Sequence, residues 1–141
     1  MRLENISEYI SFVELVNFND AFGEIEGVSY NSKNVEKNYI FVCLVGEHVD
    51  GHEFVQEAVD NGAIAVVANR ILNLDIPQII VSDTNIALAQ IASEFYGNPS
   101  KKLNVIGVTG TNGKTTVTHL IQKLLEAENE KCALIGTLGY K

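Results

Sequence analysis

Apolar residues along this chain recur in two patterns, a three-to-four-residue spacing and short continuous runs, the signatures of amphipathic helices and of strands buried on both faces. Near the start, Ile6, Ile10, Val13 and Val16, with Leu15, keep a helical spacing behind Asn5 or Ser7 as a cap, and predict a first helix. Residues 25–30 alternate as a short strand, and residues 39–45 form a β-rich run that reads as a strand buried on both faces. Asp50-Gly51-His52-Glu53 opens a helix with Phe54, Val55, Ala58 and Val59 on one side, closed by Asn61-Gly62. Runs 63–67 and 78–81 are two more buried strands, separated by a loop with Pro77. After the capping cluster 82–85, Ala87, Leu88, Ile91, Ala92 and Phe95 trace one helical stripe that ends at Gly97-Asn98-Pro99. This alternation predicts an α/β layer structure.

Gly97-Asn98-Pro99-Ser100-Lys101-Lys102 joins turn formers to a small basic patch and reads as a linker, so a first domain is expected over 1–99 and a second from 100. The second part predicts a strand over 103–108 and a glycine-rich turn. A helix follows with Val117, Leu120, Ile121, Leu124 and Leu125 on one face, then a strand over 133–135.

The turn is Thr109-Gly110-Thr111-Asn112-Gly113-Lys114-Thr115-Thr116. A strand, a glycine-rich loop and a helix beginning at Gly-Lys-Thr form the context in which backbone N–H groups converge on phosphate oxygens. Lys114 would place its charge against the β- and γ-phosphates of ATP, and the Thr115 hydroxyl would ligate Mg²⁺. Gly110, Thr111, Asn112, Gly113, Lys114, Thr115 and Thr116 are the expected ATP-binding residues, with Lys114 and Thr115 in the catalytic roles. The general phosphate-loop pattern asks for a glycine five residues before Gly113, where this chain has Val108.

Charge narrows the ligand class. Eighteen acidic against ten basic residues give a formal net charge of -8, the wrong balance for a protein that binds nucleic acid by displacing counterions. A small anion held by backbone amides and one or two cations is compatible with it. No segment reaches the roughly eighteen apolar residues of a membrane span, and the start lacks a signal-peptide pattern, so a cytoplasmic protein is expected. Cys43 and Cys132 have neither disulfide-framework nor metal spacing and read as reduced thiols. His48 and His52 lie four apart without a third ligand, which argues against zinc.

The run Gly107-Val108-Thr109-Gly110-Thr111-Asn112-Gly113-Lys114-Thr115-Thr116, with its missing first glycine, resembles the ATP loop of the Mur ligases, and Leu134-Ile135-Gly136-Thr137-Leu138-Gly139 resembles the next strand and turn of the MurE branch. Independently, Tyr30-Asn31-Ser32-Lys33-Asn34-Val35, Ile40-Phe41-Val42-Cys43-Leu44-Val45-Gly46 and Asp50-Gly51-His52-Glu53-Phe54 are similar to the uridine-nucleotide-binding domain of MurE and MurF. Where the family usually has Asp-Ser-Arg, this chain has Asn31-Ser32-Lys33, which keeps the charge but loses the planar fork of arginine.

The resemblance implies an N-terminal UDP-binding α/β domain followed by the first strand, P-loop, helix and strand of a central ATPase domain. Tyr30, Ser32, Glu47, His48 and Val49 would contact the UDP end of the substrate. A complete enzyme of this kind would phosphorylate the D-glutamyl carboxylate of UDP-N-acetylmuramoyl-L-alanyl-D-glutamate from ATP. A diamino acid would then attack the acyl phosphate, feeding peptidoglycan synthesis in the bacterial cytoplasm. The chain is expected to hold only the UDP site and the phosphate loop, and to be inactive alone. Its uncovered strand faces would dock on the first domain, self-associate or stay mobile. The alternatives are a MurF-type fragment and a non-catalytic UDP-sugar or nucleotide-binding module.

Overall fold

The computed structural model describes residues 1–18 and 23–140. They form two compact units, 1–102 and 103–141.

The first unit is a three-layer α/β structure around a five-stranded sheet. Strands β1 (Glu14–Val16), β2 (Gly27–Ser29), β3 (Tyr39–Val42), β4 (Ala63–Ala68) and β5 (Gln78–Ile80) lie in the order β1-β5-β4-β3-β2. β2 to β5 are parallel, and β1 joins the edge antiparallel. The continuous apolar runs have a direct cause in the two-residue period of a strand. Ile40, Val42, Ala65, Val67, Ile79 and Val81 point to one face, where they meet Leu3, Ile6 and Ile10 and helix α2 (Thr84–Phe95) through Ala87 and Ile91. Phe41, Cys43, Val66, Ala68 and Ile80 point to the other, against Val35 and helix α1 (Val55–Asp60) through Val55 and Ala58. Asp83 caps α2, accepting hydrogen bonds from the Asn85 and Ile86 amides.

The N-terminal helix expected from residues 6–16 is corrected. A 3₁₀ helix covers only Leu3–Glu8, which buries Leu3 and Ile6, and Leu15 and Val16 belong to β1. The edge of β5 decides this. The Val13 amide donates to the Ile80 carbonyl at 2.7 Å, and Glu14, Leu15 and Val16 pair with Ile80, Ile79 and Gln78. Unpaired groups along a sheet edge outweigh a weak helical spacing, especially in a valine-rich segment. The helix expected from Asp50 begins one turn differently, as a 3₁₀ helix over Gly51–Phe54 that continues into α1.

The link from β4 to β5 contains no helix. Buried Gln78 holds it from within, its side chain accepting from the Leu72 amide at 2.8 Å and donating to the Leu72 carbonyl at 2.9 Å.

In the second unit, helix α3 (Lys114–Ala127) forms as expected, but the strand expected over 103–108 does not. A strand needs a partner for its ladder, and among the described residues none pairs with this segment. The strand expected over 133–135 is reduced to β6 (Ile135–Gly136), which folds back on β7 (Gly139–Tyr140) as an antiparallel hairpin. The apolar side of α3 is divided: Ile121 and Leu125 are half-buried, whereas Val117, Leu120 and Leu124 are exposed, as are Val105 and Ile106. Leu134 is the one buried hydrophobic residue described in this unit. Amide hydrogen exchange is therefore expected to be markedly faster in 103–140 than in β3 and β4, whose side chains are sealed on both faces. Equal protection in the two units would contradict the burial pattern.

Candidate functional site

Two places gather the chemistry-bearing residues, one in each unit. In the first unit, an open cleft of about 370 Å³ lies beyond the C-terminal ends of β2 and β3, the end at which parallel α/β sheets collect ligands. Tyr30, Ser32, Lys33, Val49, Gly51 and Phe54 are among its walls. Tyr30 and Val49 are exposed and Ser32 is buried. The Ser32 hydroxyl donates to the Glu57 carboxylate on α1 at 2.5 Å, and the Asn61 side-chain amide donates to the Ser32 carbonyl at 2.9 Å. Asn31 turns the chain here by accepting from the Lys33 amide.

The opposite wall is the loop between β3 and α1. An isolated bridge between Val45 and Asp50 and a bond from the Gly46 amide to the Val49 carbonyl close it into a tight turn. Glu47 and His48 are exposed at its tip. Its base requires glycine, since a Cβ on Gly51 would lie 2.7 Å from the Leu44 carbonyl oxygen and 2.8 Å from its nitrogen.

Asp50 anchors this loop in more ways than a helix cap. One carboxylate oxygen accepts from the His52 amide at 3.0 Å and from His52 Nδ1 at 2.5 Å, and the other accepts from Arg70 at 2.8 Å. The carboxylate requires hydrogen on Nδ1, which leaves Nε2 of His52 to accept from the Asn69 amide at 3.4 Å. Arg70, followed by the two His52 contacts, holds the Asp50 carboxyl well below the usual carboxylate range. A pKa depressed in the folded state gives stability that is present above the unfolded value and is lost as pH falls through the folded one. Arg70→Ala is expected to lower stability at neutral pH and to flatten its decline below about pH 4, the ordinary aspartate value. Denaturant melts of the two proteins between pH 2 and 7 check this; parallel profiles would show that the ion pair contributes nothing. Neighbouring Cys43 is a structural thiol, its pKa pushed up to about 12 by burial.

In the second unit, the loop 109–113 leads into α3. Gly113 has φ 79°, a left-handed conformation that disfavours side chains, and this conformation turns the chain directly into the helix at Lys114. Unlike α2, α3 has no side-chain cap, so its first amides are free for a ligand. Lys114 reaches back across the loop, Nζ donating to the Gly110 carbonyl at 2.5 Å. His119 Nδ1 lies 2.8 Å from the Thr115 carbonyl, and Thr118 donates to the Lys114 and Thr115 carbonyls, bracing the first turn. A cavity of about 150 Å³ beside it is walled by Lys114, Thr115 and His119 together with Gly136, Thr137 and Leu138 of the β6–β7 turn.

Residues 24–96, just over half of the chain, match the family model "Mur ligase family, catalytic domain", and residues 108–141 match "Mur ligase middle domain". The chain belongs to the Mur ligase family. It is similar to the UDP-N-acetylmuramoyl-L-alanyl-D-glutamate–2,6-diaminopimelate ligase of Aquifex aeolicus, at 52% identity over 117 residues, covering 83% of this chain and 24% of that protein. UDP-N-acetylmuramyl-tripeptide synthetase 2 of Oceanobacillus iheyensis is also 52% identical, over 120 residues, with 83% and 24% covered. Among solved structures, the MurF ligase of Thermotoga maritima in complex with ADP is 36% identical with a TM-score of 0.56, over 74% of this chain and 24% of that one. The chain spans about a quarter of the length of the relatives it matches.

Within this Mur ligase chain, the structure gathers Tyr30, Ser32 and Val49 around one cleft and leaves Glu47 and His48 on the loop beside it. It sets Lys114 and Thr115 at the start of α3. Sequence reading missed Glu57, Arg70 and the place of residues 136–138 along the same cavity as Lys114 and Thr115. Glu57 and Arg70 had no local signal: each meets its partner across 20 or more residues, 25 for Ser32–Glu57 and 20 for Asp50–Arg70.

Proposed function

We propose that this chain supplies the uridine-nucleotide subsite and the ATP phosphate loop of a MurE-type ligase. That enzyme joins an amino acid, a diamino acid by its relatives' names, to UDP-N-acetylmuramoyl-L-alanyl-D-glutamate in the cytoplasm. The observation that carries the reading is the loop itself: Gly113 in a left-handed turn, an uncapped helix start, and a lysine folded over the loop mouth. The amides of residues 110–115 would surround the phosphates of ATP, and Lys114 would exchange the Gly110 carbonyl for a phosphate oxygen. This neutralises charge where the γ-phosphoryl group leaves.

Mg²⁺ fits the donor set as a cation carried by the nucleotide. Among the described residues no group of three His, Cys, Asp or Glu side chains could hold a metal, while the Thr115 hydroxyl at the helix start offers one oxygen to an ion otherwise bound by phosphates and water. When bound, the ion screens the negative charge on the transferring phosphoryl group. In the other unit, Ser32 and the 45–50 loop would hold the uridine end, and Lys33 would lie near the diphosphate. The names of the similar enzymes favour MurE over MurF.

Calorimetric titration tests the reading. ATP with Mg²⁺ and UDP should each bind the 141-residue chain, and saturation with one should leave the heat of the other unchanged. Mutual competition would point to a single nucleotide site instead, as in a simple binding module.

A further inference from the structure

The Ser32–Glu57 pair decides more than the position of a turn. A serine hydroxyl has one hydrogen and an ionised carboxylate has none. The bond from Ser32 Oγ to Glu57 Oε2, 2.5 Å long, therefore commits that hydrogen to Glu57. What Ser32 can still offer the cleft is lone pairs.

Other contacts hold the segment besides this bond. Asn61 already straps the Ser32 carbonyl to the end of α1, Asn31 caps the Lys33 amide, and Val35 is buried in the core below α1. Glu57 itself is an exposed residue of α1.

We propose that Glu57 is a positioning residue that fixes Ser32 as a hydrogen-bond acceptor, so that the cleft reads its occupant there through an N–H donor. For a uridine nucleotide, this donor is the imide N3–H, the only N–H of a uracil ring whose N1 carries the ribose. The inference rests on the reading of the cleft as a uridine-nucleotide subsite. A cytosine presents a lone pair at the same ring position, which would set two acceptors against each other. The cleft thus selects against cytidine nucleotides by leaving polar groups unpaired.

The experiment is a titration of the 141-residue chain with UDP and with CDP, followed by backbone amide shifts. Wild type should bind UDP roughly tenfold more tightly than CDP, the worth of one hydrogen bond and its mismatch. In Glu57→Ala the freed hydroxyl can turn and donate to the cytosine N3, so the preference should fall to within about threefold, with little change in thermal midpoint. Glu57→Gln, whose amide carbonyl still accepts from Ser32, should keep the preference, and Ser32→Ala should lose it. If Glu57→Ala weakens both nucleotides equally and keeps their ratio, Glu57 only supports the fold and the proposal is overturned. Equal binding of UDP and CDP by wild type at this cleft would also overturn it while leaving the subsite standing. UDP shifts absent from residues 30–33 and 44–51 would instead remove the subsite itself, and the proposal with it.

Discussion

Lys114→Ala is expected to weaken ATP binding roughly tenfold to a hundredfold, the usual worth of a hydrogen bond to a charged group, while UDP binding stays unchanged. In the free chain the ammonium donates to the Gly110 carbonyl, four residues back and across the loop. That contact shows the reach of the side chain: it lies over the mouth of the loop, where phosphate oxygens would displace the carbonyl. The amides of the helix start remain in the variant, so binding should weaken rather than vanish. Calorimetry at fixed ionic strength checks this. An unchanged ATP affinity would mean that the lysine is a solvent-facing residue of an ordinary turn.

Gly51→Ala should cost about 1–3 kcal/mol of stability, the range of an overpacked site, and should also disrupt UDP binding. The contacts that a Cβ would meet are backbone atoms, the Leu44 oxygen at 2.7 Å and nitrogen at 2.8 Å, which cannot rotate away as a side chain tip would. The Gly51 amide donates to the Leu44 carbonyl at 2.8 Å, so this approach joins the end of β3 to the start of the 3₁₀ helix. Separating them would open the 45–50 turn that walls the cleft. Urea melts and UDP titration of the same variant read the two effects. A variant as stable as wild type would show that the loop base is free to widen.

The sheet was legible because its strands carry their instruction locally. In β3 and β4 each successive apolar residue belongs to one face or the other, so unbroken runs could only be central strands. Helix α2 was legible for a similar reason, having a capping aspartate, a stripe and a terminating glycine within one segment. What failed depended on distant partners. Leu15 and Val16 form a strand because β5 offers an edge more than 60 residues on, and residues 103–108 form no strand for want of a pairing neighbour among the described residues. The same holds for the sites. The glycine–lysine–threonine loop is contiguous, so its turn at Gly113 and the helix start at Lys114 were legible without distant partners. Around the cleft, Tyr30, Ser32 and Val49 were chosen by family resemblance, whereas Glu57, which accepts from Ser32, and Arg70, which holds Asp50 at the loop base, come from α1 and the segment after β4.

Two independent ligand sites, one per unit, are the centre of this reading, and a paired shift titration of the ¹⁵N-labelled chain tests them most directly. UDP should move the amides of residues 30–33 and 44–51, and ATP with Mg²⁺ should move those of residues 109–116 and the 136–138 turn, each ligand leaving the other set in place. Both ligands moving the same residues, or ATP leaving the amides of residues 110–115 unmoved at saturation, would contradict it.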